Sequence, residues 1–342
     1  MNTPLAKKWS TEGLECVDAC PYCGSHQRAL AYRDVQDWSF GCAPGKWNYW
    51  DCLGCHSLFL DPRPTRSTIG LAYARYYTHS NTERVSFLSS TKARLRNECL
   101  SKVLNANVEP QLHLPRILNG LVALIGRRVV IPFGWLTLAE LSKGRFIDVG
   151  CGAGLTVNLA QQLGWTAMGL EIDPTAVRAA RQIGLNILEG GYERLTEYEQ
   201  QFDCIMCSHV LEHVHDPRDL LLKLKAAIKP GGVLLLTLPN ALSVLRRYFG
   251  ADWRGLEAPR HLSIPSEPHL VQLLVESGFA VQSLADNGIE TAAESFRIQR
   301  RGTVINRQDV IMAHQLDTHP LATPAGNDLI KLVCKAYVAT SA

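Results

Sequence analysis

Residues 143–342 predict a doubly wound α/β fold, a mostly parallel sheet with helices on both faces. A small metal-binding module (residues 1–64) and a mostly helical linker (65–142) precede it. Three observations carry this reading. Short apolar runs alternate with helical patterns after residue 144. A glycine-rich turn joins the first of those runs to a helix, and two Cys-x-x-Cys pairs lie near the amino terminus.

Length and composition set the frame. At about 150 residues per domain, 342 residues accommodate one large core plus an appendage. Hydrophobic residues make up 46% and charged residues 20%, as in globular rather than disordered chains. The net charge of +3, from 35 Lys+Arg against 32 Asp+Glu, gives no electrostatic reason to expect a nucleic-acid partner. Lys7 and Lys8 are not followed by an apolar run, so no secretory signal is expected. No stretch approaches 18 uninterrupted apolar residues, so no membrane span is expected either. A cytoplasmic location follows as the expectation, and in a reducing compartment the eleven cysteines are thiols or metal ligands.

Cys20-Pro-Tyr-Cys23 and Cys52-Leu-Gly-Cys55 are separated by 28 residues. Each pair places two thiolates on one tight turn, with Gly24 and Gly54 helping the backbone curl. Two such turns supply four sulfurs to a closed, tetrahedral structural zinc site of the ribbon or knuckle kind. Trp38, Phe40, Trp47, Tyr49 and Trp50 between them alternate roughly as strand residues do. The alternative is a loop-rich segment of unmetallated thiols, but so short a segment buries little apolar area without a metal. Cys16, Cys42, His26 and His56 are surplus once four cysteines fill the shell.

In the linker, Leu71, Tyr73, Tyr76 and Tyr77 fit one face of a short helix, and residues 91–104 fit another. Residues 117–138 are apolar but broken by Gly126-Arg127-Arg128 and Pro132. They read as a helix packed on the main domain, with peripheral contact to a membrane surface as the alternative.

Arg145–Val149 reads as a strand that runs through Gly150, Cys151, Gly152 and Gly154 into a helix over 155–163. Glycines here permit a tight turn and let a ligand approach bare backbone at a helix amino terminus, as nucleotide-type ligands require. A second strand, Thr166–Glu171, ends in an acidic residue 21 positions after Gly150, where a carboxylate can accept ribose hydroxyls. The pattern is GxGxG because position 155 is Leu, which argues against a dinucleotide. Asp173-Pro174 starts a helix, 186–188 is a third strand, and 202–207 is a fourth ending in Ser208-His-Val-Leu-Glu-His213. Asp216-Pro217 opens a helix that Lys229-Pro-Gly-Gly232 stops. Residues 233–238 form a near-continuous apolar run, as a central parallel strand does. Residues 280–284 and 329–338 read as two closing strands around an insertion over 286–327.

Five elements in order resemble the class I S-adenosylmethionine-dependent methyltransferases, in particular the small-molecule branch that includes ubiquinone-biosynthesis O-methyltransferases and enzymes acting on natural products and cell-surface sugars. They are Asp148-Val-Gly-Cys-Gly-Ala-Gly154, Gly169-Leu-Glu-Ile-Asp173, Phe202-Asp203, Val210-Leu-Glu-His213 and Lys229-Pro-Gly-Gly232. Arg260-His-Leu262 and Glu276-Ser-Gly-Phe279 also look like that branch, and the paired CxxC turns resemble the front end of zinc-containing sugar methyltransferases. The resemblance implies a seven-stranded Rossmann-like sheet closed by an antiparallel edge. It implies that the glycine loop holds the methionine moiety of S-adenosylmethionine, that Glu171 meets the ribose and that Ile172 packs on adenine. It also implies that Asp148 orders the loop, and that Ser208 and His209 line the methyl-donating pocket. The position after Gly190, often acidic in the family, is Gly191, which leaves Tyr192 or a backbone carbonyl to meet the adenine amino group.

Methyl transfer from a sulfonium is an in-line displacement, driven largely by holding donor and acceptor in register. A hydroxyl acceptor must also lose its proton, a task suited to histidine. His261 is the first candidate base and His213 the second, with seating of the helix after the fourth strand as the structural alternative for His213. Trp253, Arg260, Tyr76 and Tyr77 are candidate contacts to a small-molecule acceptor, against the alternatives of a solvated loop and core packing. Cys151 is a small residue between glycines, and Cys204 and Cys207 are strand residues facing opposite ways. The competing functions are an RNA-directed methyltransferase gripping its substrate through the zinc module, a non-catalytic cofactor-binding protein, and a dinucleotide oxidoreductase. No Asn/Asp-Pro-Pro-aromatic turn follows the fourth strand, which argues against the first of these.

Overall fold

A computed structural model describes residues 9–73, 91–113, 132–284, 289–301, 309, 312 and 327–337. Tyr76, Tyr77 and most of the 117–138 stretch lie outside the described residues. The chain forms two compact units. One gathers the described residues up to Tyr73 with His209–Lys225 and the described part of Leu236–Tyr337; the other gathers the linker with the stretch up to Ser208 and Ala226–Leu235. The expected contiguous division at residues 64 and 142 is therefore not how the chain packs.

In the first unit, the amino-terminal segment supplies β1 (Leu14–Glu15), β2 (Arg28–Val35), β3 (Trp47–Cys52), β4 (Leu58–Leu60) and β5 (Arg63–Pro64). Trp47 and Tyr49 alternate inward along β3 as expected, whereas Trp38 and Phe40 sit in the preceding turn. β2, β3 and β4 form an antiparallel sheet. Its fourth strand comes from the far end of the sequence, as described below.

The linker contributes α1 (Thr91–Val103) and α2 (Trp135–Glu140). Leu100, Leu104, Val108 and Trp135 form an apolar cluster with Leu159. The α/β elements follow: β6 (Arg145–Val149), α3 (Leu155–Gln162), β7 (Thr166–Glu171), α4 (Pro174–Gln182), β8 (Ile187–Glu189), β9 (Phe202–Ser208), α5 (Pro217–Ala227) and β10 (Ile228–Pro239). Next are α6 (Val244–Phe249), β11 (Ser263–Ile264), α7 (Glu267–Glu276), β12 (Phe279–Ser283), α8 (Ile289–Gln299) and β13 (Leu329–Ala336).

The large sheet has seven strands in the order β12-β13-β10-β9-β6-β7-β8. β6 pairs in parallel with β7 and β9, β7 pairs in parallel with β8, and β12 and β13 form the antiparallel edge. β6 sits in the middle with Phe146 to Val149 all buried, as a strand covered on both faces must be. Its carboxyl end is where the order reverses, and open α/β sheets place ligands at such a switch point. One boundary differs from the sequence reading. Lys229-Pro-Gly-Gly232 ends α5 but already belongs to β10, and a Cβ on Gly232 would lie 2.8 Å from Ile228 Cγ1 and 3.1 Å from the Asp203 carbonyl oxygen.

β11 is the fourth strand of the amino-terminal sheet and pairs antiparallel with β4, Ser263 opposite Phe59 and Ile264 opposite Leu58. The core beneath this sheet mixes Trp47, Tyr49, Leu58 and Leu60 with Leu245, Phe249, Trp253, Leu262 and Phe296. A short module that buries little area alone thus shares a core with residues about two hundred positions away.

Gly154 caps α3 with φ +79°, and a Cβ there would lie 2.5 Å from Leu185 Cδ1. Gly154→Ala is expected to cost about 1–3 kcal/mol through both strain and the clash, read as a lower midpoint in chemical denaturation.

Candidate functional site

The glycine loop leaves β6 with φ of +73° at Gly150 and +53° at Gly152, conformations that side chains disfavour. Gly150 N–H donates to Leu170 O at 2.8 Å, tying the loop to β7. Gly152 N–H donates to Glu171 Oε2 at 2.7 Å, and Asp173 N–H donates to Glu171 Oε1 at 2.8 Å. Glu171 therefore pins the loop as well as presenting a carboxylate, and each oxygen keeps a further lone pair for a ligand. A Cβ at Gly152 would meet nothing within 4 Å, so open space stands over this stretch of main chain. Ile172 is the most exposed large hydrophobic residue among those described, at 74%. Cys151 turns inward, and a Cβ on Gly169 would lie 2.4 Å from its Sγ, so Gly169 is the residue that makes room for it.

Asp148 is buried at the end of β6. Burial and, second, the negative charge of Glu171 push its carboxyl up to about 8. A loop of bare amides beside two carboxylates suits a ligand that is both polar and cationic. Ser208 is half-buried at the end of β9. Tyr192 is buried at the start of a short 3-10 helix (Tyr192–Glu197).

His209 stands exposed with φ +54°, and its Nδ1 lies 3.1 Å from Glu212 Oε1. Glu212, His213 and His261 lie together in the first unit. Their ligand-capable atoms all fall within 4.8 Å of one another. The rings of His213 and His261 meet edge to face, with centroids 4.6 Å apart. His261 Nδ1 donates to Gly255 O at 2.7 Å and His213 Nδ1 donates to Arg260 O at 3.1 Å. Tyr73 OH also lies 3.0 Å from His213 Nδ1. His261 is 4% exposed, and burial lowers its pKa to about 4, so the ring is neutral at physiological pH. A base so weak has little driving force to take a proton from a hydroxyl.

Two sequence expectations need correction. Arg260 does not reach toward an acceptor, because its side chain is fully buried. Its Nη2 and Nη1 donate to Asp37 Oδ1 and Oδ2 at 2.5 and 3.0 Å, its Nε donates to Glu257 Oε1 at 2.9 Å, and Nη1 donates to Ala72 O at 2.9 Å. Phe40 stacks 4.5 Å from the guanidinium carbon. Trp253 is 1% exposed and donates from Nε1 to Asp328 Oδ1 at 2.8 Å. Glu257 stays ionised in this cluster. Burial raises its pKa, but His261 when protonated and the permanent charges of Arg254 and Arg260 outweigh burial and hold it near 2. Sequence reading missed Asp37, Glu212 and Glu257. Only Glu212 carried a signal, an acid set in the apolar run Val210-Leu211 directly before a histidine.

Near the amino terminus Cys20, Cys23, Cys52 and Cys55 converge. Cys20 Sγ lies 3.6 Å from Cys55 Sγ, and Cys23 Sγ lies 3.4 Å from Cys52 Sγ. These separations approach the roughly 3.8 Å edge of a tetrahedron with bonds of about 2.3 Å. The two turns repeat one geometry: Gly24 N–H to Cys20 O and His56 N–H to Cys52 O are both 2.9 Å, with left-handed φ at Gly24 (+74°) and His56 (+59°). Gly54 lets the turns close, since a Cβ there would lie 3.2 Å from the Ser25 side chain. All eleven cysteines are free of disulfides.

Residues 127–284 match the family model described as a methyltransferase domain. A ubiquinone biosynthesis O-methyltransferase of Thiobacillus denitrificans is 28% identical over 181 residues, covering 48% of this chain and 76% of that protein. A protein of the same name from Bordetella avium is 33% identical over 146 residues, covering 37% of this chain but only 59% of its own length. Among solved structures, an S-adenosylmethionine-dependent methyltransferase of Mesorhizobium loti aligns with a TM-score of 0.42 at 20% identity, over 59% of this chain and 97% of that one. Sheet order, glycine loop and sequence match agree on the class: a methyltransferase domain on a Rossmann-like sheet. The family match covers residues 127–284, a little under half of the chain.

Two outcomes are expected. Asp148→Asn should stabilise the cofactor-free protein increasingly as pH rises. A folded carboxyl near 8 against about 3.9 unfolded costs nothing below pH 4 and a few kcal/mol at pH 8, so the gain in melting temperature over the parent should be absent at pH 4 and largest at pH 8. Arg260→Met should lower stability by about 3–5 kcal/mol in denaturant titration, because Asp37 would be left buried without its cation.

Proposed function

We propose that this enzyme transfers the methyl group of S-adenosylmethionine to a hydroxyl of a small-molecule biosynthetic intermediate. The observation that carries the cofactor assignment is the hydrogen bond from Gly152 N–H to Glu171, with open space over the glycine. In this reading Glu171 meets the ribose and Ile172 covers one face of adenine, with the loop from Gly150 through Cys151 and Gly152 to Gly154 accommodating the methionine portion. Asp148, raised by burial and then by Glu171, would be favoured in its ionised form beside a cationic amine. Ser208, the last residue of β9, lies at the methyl-donating side. Tyr192, already buried, gives adenine a backbone edge rather than a free ring.

Bound S-adenosylmethionine supplies an already activated methyl group with a neutral leaving thioether. The protein's part is then to orient the two reactants and exclude water. The acceptor class follows from the relatives named ubiquinone biosynthesis O-methyltransferases. The RNA-directed alternative has no comparable support, since the net charge is only +3.

In the same reading the four cysteines hold a structural zinc ion that braces the two turns. The fit of their spacing to a tetrahedron supports it. The enzyme works in a reducing cytoplasm, which the absence of any disulfide supports. No helix among the described residues is long and apolar enough to cross a membrane.

Glu171→Ala should weaken S-adenosylhomocysteine binding by about tenfold to a hundredfold in isothermal titration, since it removes both the loop anchor and the ribose partner. Unchanged affinity would show that the cofactor lies elsewhere. Metal analysis should find tightly held zinc in the parent that Cys20→Ser with Cys52→Ser removes, together with a lower melting temperature.

A further inference from the structure

We propose that Glu212, His213 and His261 form a second metal site, which takes a first-row divalent transition metal through one carboxylate and two imidazoles.

The two histidines are already oriented as ligands. A carbonyl oxygen can only accept, so the contact of His261 Nδ1 to Gly255 O (2.7 Å) places a proton on that Nδ1; His213 Nδ1 has the same kind of acceptor in Arg260 O (3.1 Å), with the Tyr73 hydroxyl, which can accept as well as donate, at 3.0 Å. With Nδ1 protonated, each Nε2 is left with its lone pair. Ligand histidines are held in this way by a backbone acceptor on the opposite nitrogen.

Glu212 pairs through Oε1 with His209 and keeps its second oxygen open. The residue is fully buried, and its Oε2 is buried with no hydrogen-bond partner. The nearby guanidinium groups are committed elsewhere, Arg260 to Asp37 and Glu257 and Arg254 to Glu257. Among the described residues, the ion-pair neighbours of Glu212 are His209 at 3.1 Å and His261 at 4.0 Å, and neither is a lysine or arginine. A buried carboxylate is ordinarily paired or bound to a metal.

The donor set decides which metal. Two imidazole nitrogens and one carboxylate disfavour Mg²⁺ and Ca²⁺, which prefer all-oxygen shells, and match the facial arrangement that binds first-row metals with positions left open. An oxygen ligand entering an open position would lose its proton more readily.

The test uses the full, zinc-loaded chain titrated with Mn²⁺, with free Mn²⁺ followed by electron paramagnetic resonance. Manganese competes poorly for thiolates, so the cysteine site should stay filled with zinc. The expected result is one Mn²⁺ bound per chain, with affinity reduced about tenfold or more by Glu212→Gln and by His213→Gln. S-adenosylhomocysteine binding by the variants reports whether they remain folded. Should they not fold, the parent is titrated with Co²⁺, and a weak visible band of nitrogen and oxygen ligation supports the site. Absence of both Mn²⁺ and Co²⁺ uptake by the parent, or Mn²⁺ affinity unchanged in folded variants, overturns the proposal. Metal uptake without S-adenosylhomocysteine binding would instead remove the cofactor assignment and leave the metal site standing.

Discussion

The buried guanidinium of Arg260 is the constraint on which the first unit depends. Its bidentate grip on Asp37 links a turn near the amino terminus to a loop 223 positions later. Taking both charges out of water is costly, and the cost is offset only because Glu257, the Ala72 carbonyl and the Phe40 ring complete the shell. The same residue turns its own carbonyl to His213, so one buried ion pair fixes the backbone that orients two neighbouring histidines. Tyr49 reinforces the arrangement from β3 by donating to the carbonyls of Leu256 and His261.

The second unit obeys a different logic. Its loop is held by main-chain amides and one carboxylate, and it keeps Asp148 in a protonation state that isolated aspartate would not show. Burial first and the Glu171 charge second disfavour the ionised form of Asp148, which a neighbouring cation would favour.

Much of this was legible in the sequence because it is local. Gly150 to Gly154, Glu171 and the Asp173-Pro174 start of α4 each declare themselves within a few residues, and so do the twin CxxC turns. The two closing strands were also readable from their apolar runs, and the resemblance supplied their antiparallel pairing. Arg260 and Trp253 were not. Nothing near position 260 signals that its partner is Asp37, and nothing near 253 signals Asp328. An arginine in a glycine- and proline-containing loop reads as solvated until its distant acid is known. Glu212 was passed over for a related reason, since its meaning comes from two rings, one of them 49 positions away. Burial of charge is a property of the packed chain, and periodicity does not report it.

The pairing of β11 with β4 bears on how such a chain can be divided. Removing the cysteine-rich segment would strip Ser263 and Ile264 of their backbone partners and open the shared core around Trp253 and Leu262. The segment is thus no cassette that could be exchanged freely between enzymes. Its sequence and that of the distant loop must change together, and a donor of one half would have to bring the other.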